Sequence, residues 1–210
     1  SLATLVRAGL PVPPGFHVTT AAYRAYVALH DLQQKIAATD ERGLLLVITG
    51  NGKGKSTSAF GTVARALGHG MKVGVVQFIT SRTDTGEEAF FGRQPGVEWH
   101  VTGDGFTWDT QNREQDIATA ERGWAVAKRM LTDPAYQLVV LDELTYLLSY
   151  GYLDADDVLD ALVHRPAMQH VIVTGRAAPD ALIELADTAS VIADEKHAFR
   201  VGGLPEHSGG

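Results

Sequence analysis

With 210 residues, 45% of them apolar, the chain can bury one substantial core and has the balance of an ordinary soluble globular domain. A formal charge of −7 argues against nucleic acid or an anionic membrane surface as the main partner. The absence of cysteine excludes disulfides, a thiol nucleophile and thiolate metal ligands.

Along the chain, residues 44–49 (LLLVIT) form a short continuous apolar run, as a buried parallel strand requires. Similar runs recur at 72–79 (KVGVVQFI), 138–141 (LVVL) and 170–174 (HVIVT), with weaker candidates at 97–101 and 190–193. Helical patterns lie between them. Ile117, Ala120, Trp124, Ala127 and Leu131 fall on one helical face, with charges opposite. Asp154 is suited to cap a helix that runs to about His164, and Pro179 suits a first helical turn. This alternation predicts an α/β fold, a mainly parallel sheet with helices on both faces. Residues 80–96 are polar and glycine-containing and read as a surface loop near the site, whereas the tail from 201 reads as flexible. No cleavable signal and no apolar run able to span a bilayer is found, so the cytoplasm is the expected compartment.

Between the first strand and the first helix lies G-N-G-K-G-K-S, residues 50–56. Gly50, Gly52 and Gly54 allow a tight turn that brings backbone amides to phosphate oxygens. Lys55 supplies a point charge, and Ser56 opens a helix whose N-terminus favours anions, its hydroxyl placed to ligate Mg²⁺. Asn51, Lys53 and Thr57 complete the candidate nucleotide-binding set, Thr57 as a second hydroxyl with a structural reading. The spacing is one residue shorter than the usual G-x-x-x-x-G-K-[ST]. In QLVVLDE an apolar strand delivers Asp142 and Glu143 at its carboxyl end, and one of these acids should reach Mg²⁺ directly or through water. Arg65, two to three turns into the helix, and Arg176, after VIVTG, are further phosphate candidates. These features alone define an ATP-binding protein and nothing narrower.

GNGKGKSTSAFGTVARALGHGMKVGVVQFI, GFTWDTQNRE, VVLDELTYLLSYGYL and VIVTGR together closely resemble the P-loop type of cob(I)yrinic acid a,c-diamide/cob(I)alamin adenosyltransferase. The resemblance runs from near Ile36 to about Phe199, and the shortened loop is itself the family's form. It implies a RecA-like P-loop fold that binds MgATP and moves the 5′-deoxyadenosyl group to reduced cobalt, releasing triphosphate. It also implies a nucleotide lying in the reverse sense, so that the C5′–O bond breaks rather than a phosphoanhydride. On the family's pattern Asn51 and Ser56 belong to the nucleotide and Glu143 to the metal. The resemblance also implies that Phe106 and Trp108 of GFTW pack beneath the corrin and exclude its lower axial ligand, which would make Co(II) easier to reduce. Lys55, Phe106 and Trp108 are therefore the expected catalytic set. ATP, a corrinoid and a cellular reductase for Co(II) are the implied partners, and a homodimer is the implied assembly.

His69, His100, His164, His170 and His197 lack metal-ligand spacing and read as caps, edges or surface. Tyr146 and Tyr150, four apart, read as helix packing. The division expected is an atypical segment at 1–35, the adenosyltransferase domain at 36–200 and a flexible tail at 201–210. Residues 1–30 resemble the opening of the ATP-grasp domain of phosphoenolpyruvate synthase-like enzymes, and RVGGLPEHSGG after Phe199 departs from the family's ending. The rival readings are a P-loop ATPase or kinase that cleaves a phosphoanhydride, a nucleotide-binding regulatory module, and an inactive nucleotide-binding chimera. Removal of residues 1–30 is expected to leave MgATP affinity unchanged by calorimetry; a large loss would show the segment to be integral.

Overall fold

A computed structural model describes residues 42–79, 85–103 and 113–196 of the chain. Phe106, Trp108, the first 35 residues and the tail from 201 lie outside the described residues. Those described all belong to the compact unit that begins at Arg42.

The elements follow the predicted alternation. They are β1 (Leu45–Thr49), α1 (Lys55–Gly68), β2 (Val73–Gln77), α2 (Gly86–Phe91), β3 (Val97–Val101) and α3 (Arg113–Thr132), then β4 (Leu138–Asp142), α4 (Leu144–Ser149), α5 (Ala155–Val163), β5 (His170–Thr174), α6 (Asp180–Leu185) and β6 (Thr188–Val191). Six strands form one sheet in the order β3-β2-β4-β5-β1-β6, and every pairing is parallel.

The continuous apolar runs have a direct cause. Successive side chains of a strand point to opposite faces, and here both faces are covered. Val73, Val75, Leu138, Val140 and Ile172 pack with Ala59, Phe60, Val63 and Ala66 of α1 and with Phe91 of α2. Val76, Val139, Leu141, Val171 and Val173 pack on the other side with Trp124, Ala127 and Met130 of α3, Leu144 and Leu147 of α4, Val158 and Leu162 of α5, and Leu182 of α6. The resulting α/β architecture is the one the alternation predicts.

Local signals set most boundaries. Asp154 accepts a hydrogen bond from the Asp156 amide at 2.9 Å and starts α5, which ends at Val163 with His164 as its C-cap. Pro179 lies one position outside its expected place, as the N-cap of α6, because its ψ of 145° is extended. The last strand, β6, begins two residues earlier than expected, since its extent is decided by pairing of Thr188–Val191 with Leu46–Thr49. Part of the supposed loop at 80–96 is the helix α2. Thr85 accepts from the Glu88 amide at 3.3 Å, and the order Thr-x-x-Glu is a helix-start signal that composition hides. Among the described residues no helix is long and apolar enough to cross a membrane.

At the β3 edge, Glu98 accepts hydrogen bonds from Tyr136 and Arg129 and pairs with the His100 ring at 2.8 Å. These bonds, led by the Tyr136 hydroxyl, pull its pKa from 4.5 down to about 2. A folded value below the unfolded one stabilises the native state at pH above 4.5, and that contribution fades as pH falls toward 2. The carboxylate is partly exposed, so solvent screening limits it to about 0.5–1 kcal/mol. Glu98→Gln is expected to lower the Tm by about 1–4 °C at pH 7. The gap to the parent should close below pH 4.5 in thermal unfolding followed by circular dichroism.

Candidate active site

The carboxyl ends of β1, β4 and β5 bring the candidate residues to one edge of the sheet. After Thr49 the chain turns through the glycine-lysine loop into α1, whose N-cap is Gly54 at φ 106°, a left-handed conformation that favours glycine. Gly52 is constrained differently. Its amide donates to the Ile192 carbonyl at 2.9 Å, and a Cβ there would stand 2.2 Å from the Ala193 carbonyl oxygen. The strap that leaves β6 thus lies against the loop, so this glycine serves backbone packing as well as any ligand.

The helix begins at Lys55, one residue earlier than Ser56. The Lys55 ammonium folds back onto the Gly52 carbonyl at 2.8 Å. Burial lowers its pKa, and the positive charge of Arg176 lowers it further. Asn51 and Thr57 are exposed and Ser56 is half-buried at the first turn. Lys53 is exposed, and its charge acts on both Lys55 and Glu143. Arg65 is the exception. It sits exposed in the last turn of α1, ten residues beyond Lys55. At 1.5 Å per residue that is about 15 Å of rise, so the structure does not bring it beside the loop.

The two adjacent acids are unlike. Asp142 ends β4 with 3% exposure, and both of its oxygens are held: Gln77 Nε2 donates to Oδ2 at 3.0 Å and Thr174 Oγ1 to Oδ1 at 2.6 Å. Glu143 turns into the left-handed region at φ 63°, its amide donating to the same Thr174 hydroxyl at 2.9 Å. Burial, followed by the charge of Asp142, pushes the Glu143 carboxyl up to about 7 against the opposing pull of Lys55, Arg176 and Lys53. Arg176 follows Gly175, and its carbonyl accepts from Thr145 Oγ1 at 2.6 Å. Lys53, Lys55, Arg176, Asp142 and Glu143 therefore share one electrostatic neighbourhood.

That donor set suits a hard cation. Carboxylate and hydroxyl oxygens are magnesium chemistry, and a glutamic acid poised near 7 would yield its proton to a divalent ion. Among the described residues no group of three or more His, Asp or Glu could hold a metal unaided. Phosphate oxygens would have to complete the coordination, which is how Mg²⁺ is usually bound.

No motif in the sequence singles out Gln77, Thr174 or Thr145. The available signal was a polar residue ending an apolar run, as in KVGVVQ and HVIVT. The described histidines of that set are elsewhere: His69 and His164 cap helices, His100 pairs with Glu98, and His170 Nδ1 accepts from the Leu44 amide at 3.1 Å, while His197 lies outside the described residues. Tyr146 and Tyr150 stack with centroids 6.2 Å apart at the end of α4, in keeping with packing.

Residues 41–209 match the family profile described as ATP:corrinoid adenosyltransferase BtuR/CobO/CobP. The corrinoid adenosyltransferase of Pseudomonas aeruginosa is 61% identical over 173 residues, 81% of this chain and 85% of that protein. That of Escherichia coli K12 is 53% identical, covering 79% of this chain and 84% of that protein. The corrinoid adenosyltransferase of a Sinorhizobium species is 43% identical, with 81% and 82% covered. The match starts at residue 41 and lends the ATP-grasp resemblance of residues 1–30 no support. The match runs to residue 209.

The glycine geometry yields a paired test. Gly52→Ala must displace the loop or the Ile192–Ala193 strap, and ATP affinity is expected to fall about tenfold or more by calorimetry. Gly61→Ala, exposed in the interior of α1 with open space around its added methyl, should instead stabilise the protein by about 0.5–1 kcal/mol and leave ATP affinity unchanged.

Proposed function

The chain belongs to the ATP:corrinoid adenosyltransferase family, and from that premise we propose that it transfers the 5′-deoxyadenosyl group of MgATP to the Co(I) of a corrinoid and releases triphosphate. The observation that carries this reading is the gathering of Lys55, Arg176 and the acids at the mouth of the glycine loop, within a span that matches the family throughout.

The reaction asks little of the protein as a nucleophile. Co(I) attacks C5′ with its own electron pair, a cobalt–carbon bond forms, and the C5′–O pair departs with the triphosphate. Cobalt is formally oxidised from I to III and no proton moves. The protein's part is to hold C5′ in line and to stabilise charge on the leaving group. Lys55, the loop amides and the α1 N-terminus would grip the triphosphate, with Arg176 beside them. Ser56 and Glu143, with Asp142 behind, would hold Mg²⁺, which supplies charge neutralisation at the leaving oxygens when bound. Asn51 and Lys53 belong to the same loop, and Thr57 to the first turn of α1.

Phe106 and Trp108 complete the reading as the aromatic pair that excludes the corrin's lower ligand, so that a cellular reductase can deliver the electron to Co(II). A cytoplasmic homodimer is the setting proposed. A rival reading as a phosphoanhydride-cleaving P-loop enzyme gives different products. The protein incubated with MgATP and chemically reduced cobalamin is expected to give a light-sensitive adenosyl product and intact triphosphate; ADP and phosphate would overturn the proposal. Phe106→Ala and Trp108→Ala should retain MgATP binding and turnover of preformed Co(I), while turnover from Co(II) with an enzymatic reductant falls about tenfold or more. An equal loss on Co(I) would refute the ligand-excluding role.

A further inference from the structure

We propose that Gln77 is a positioning residue of this site, clamped by Trp99 so that its amide holds the Asp142 carboxylate in place for magnesium-dependent nucleotide binding. The proposal rests on the MgATP reading above and extends it to residues that touch neither nucleotide nor metal directly.

Gln77 is the last residue of β2, in register with Asp142 on one side and Val101 on the other. It is 6% exposed, a polar side chain in a position where an apolar one would be the cheaper occupant. Every polar atom beyond its strand pairing is used. Nε2 donates to Asp142 Oδ2 at 3.0 Å, Oε1 accepts from Trp99 Nε1 at 3.1 Å, and its carbonyl accepts from the Thr102 amide at 2.9 Å and hydroxyl at 3.1 Å.

The chemistry of the two partners dictates which way the amide points. An indole N–H can only donate, and an ionised carboxylate can only accept. The oxygen of Gln77 must therefore face Trp99 and its NH₂ must face Asp142; the flipped amide would set oxygen against carboxylate and N–H against N–H. Trp99 thus acts on Asp142 through Gln77. Its ring is fixed independently, packed at 5.1 Å from Phe60 and stacked at 6.2 Å on Phe91. From the opposite side Thr174 donates to the other Asp142 oxygen and accepts from the Glu143 amide, so one hydroxyl orients both acids. The relay Trp99–Gln77–Asp142–Thr174–Glu143 crosses four adjacent strands, from β3 at the sheet edge through β2 and β4 to β5. Each carboxylate oxygen keeps lone-pair capacity for one further donor. Release of one anchor would let the carboxylate turn away from the mouth of the loop.

Gln77 also fixes the point where β3 gives way to the next segment. Both Thr102 hydrogen bonds end on its carbonyl, two residues before the stretch that carries Phe106 and Trp108. The side chain and the backbone of one residue thereby serve Asp142 and the strand end.

The test is calorimetric titration of ATP into parent, Gln77→Leu, Trp99→Phe and the double variant, in chelator and across a magnesium series. Leucine keeps the volume and removes the amide; phenylalanine keeps the ring and removes the indole N–H. In Gln77→Leu, magnesium-free ATP affinity should stay within about twofold, while the magnesium concentration for half-maximal enhancement rises about tenfold or more. Trp99→Phe should raise it about threefold, and the double variant should be no worse than Gln77→Leu, since tryptophan acts only through glutamine. If Gln77→Leu fails to fold, Thr174→Val, which removes the other anchor, should show the same magnesium shift. Parent-like magnesium dependence in the variants, additive losses, or equal losses with and without magnesium would overturn the relay alone. A parent whose ATP binding ignores magnesium would overturn the MgATP reading and the relay with it.

Discussion

A carboxylate buried at the end of a central strand is the constraint around which this site is built. Asp142 is all but inaccessible, and an unpaired charge there would cost several kcal/mol. Two flanking strands solve the problem by ending level with it, one offering an amide from Gln77 and the other a hydroxyl from Thr174. The same hydroxyl receives the Glu143 amide and so helps hold that residue in its left-handed turn. From there α4 begins, and Thr145 in its first turn secures the Arg176 carbonyl. One buried charge therefore organises two acids, a cation and the start of a helix.

The parallel sheet makes this economical. All its strands point the same way, so the described loops that follow β1, β4 and β5 leave the sheet at one edge. Cores on both faces hold the strands rigidly enough that their ends keep fixed heights. The phosphate loop is braced from a third direction by the strap after β6, whose carbonyls touch Gly50 and Gly52. Catalysis that depends on holding a carbon in line with a leaving group requires this kind of rigidity more than it requires reactive side chains.

Charge separation between neighbours is the site's second design feature. Each Asp142 oxygen is held by one donor, whereas burial and the neighbouring Asp142 charge raise the Glu143 carboxyl against the pull of Lys55, Arg176 and Lys53. Two adjacent acids thus differ in character because their environments differ.

Much of this was legible in the chain itself. Continuous apolar runs announced β1, β2, β4 and β5, since a strand buried on both faces must be apolar at every position. The glycine-lysine loop between strand and helix announced a phosphate cradle, and the ordered motifs around it announced the family. The rest depended on contacts between distant residues. No local pattern tells that Gly52 abuts Ala193, that Gln77 meets Asp142, or that Arg65 is carried out of reach by helical rise. The short helix α2 and the start of β6 were misjudged for related reasons, a cap hidden in polar composition and an extent decided by pairing. Sequence by itself determined which segments are buried and which residue types bear charge, because burial and chemistry are properties of residues. Only the tertiary structure decided that Asp142 is the acid anchored from both sides, because that follows from strand register, and register brings together residues far apart in the chain.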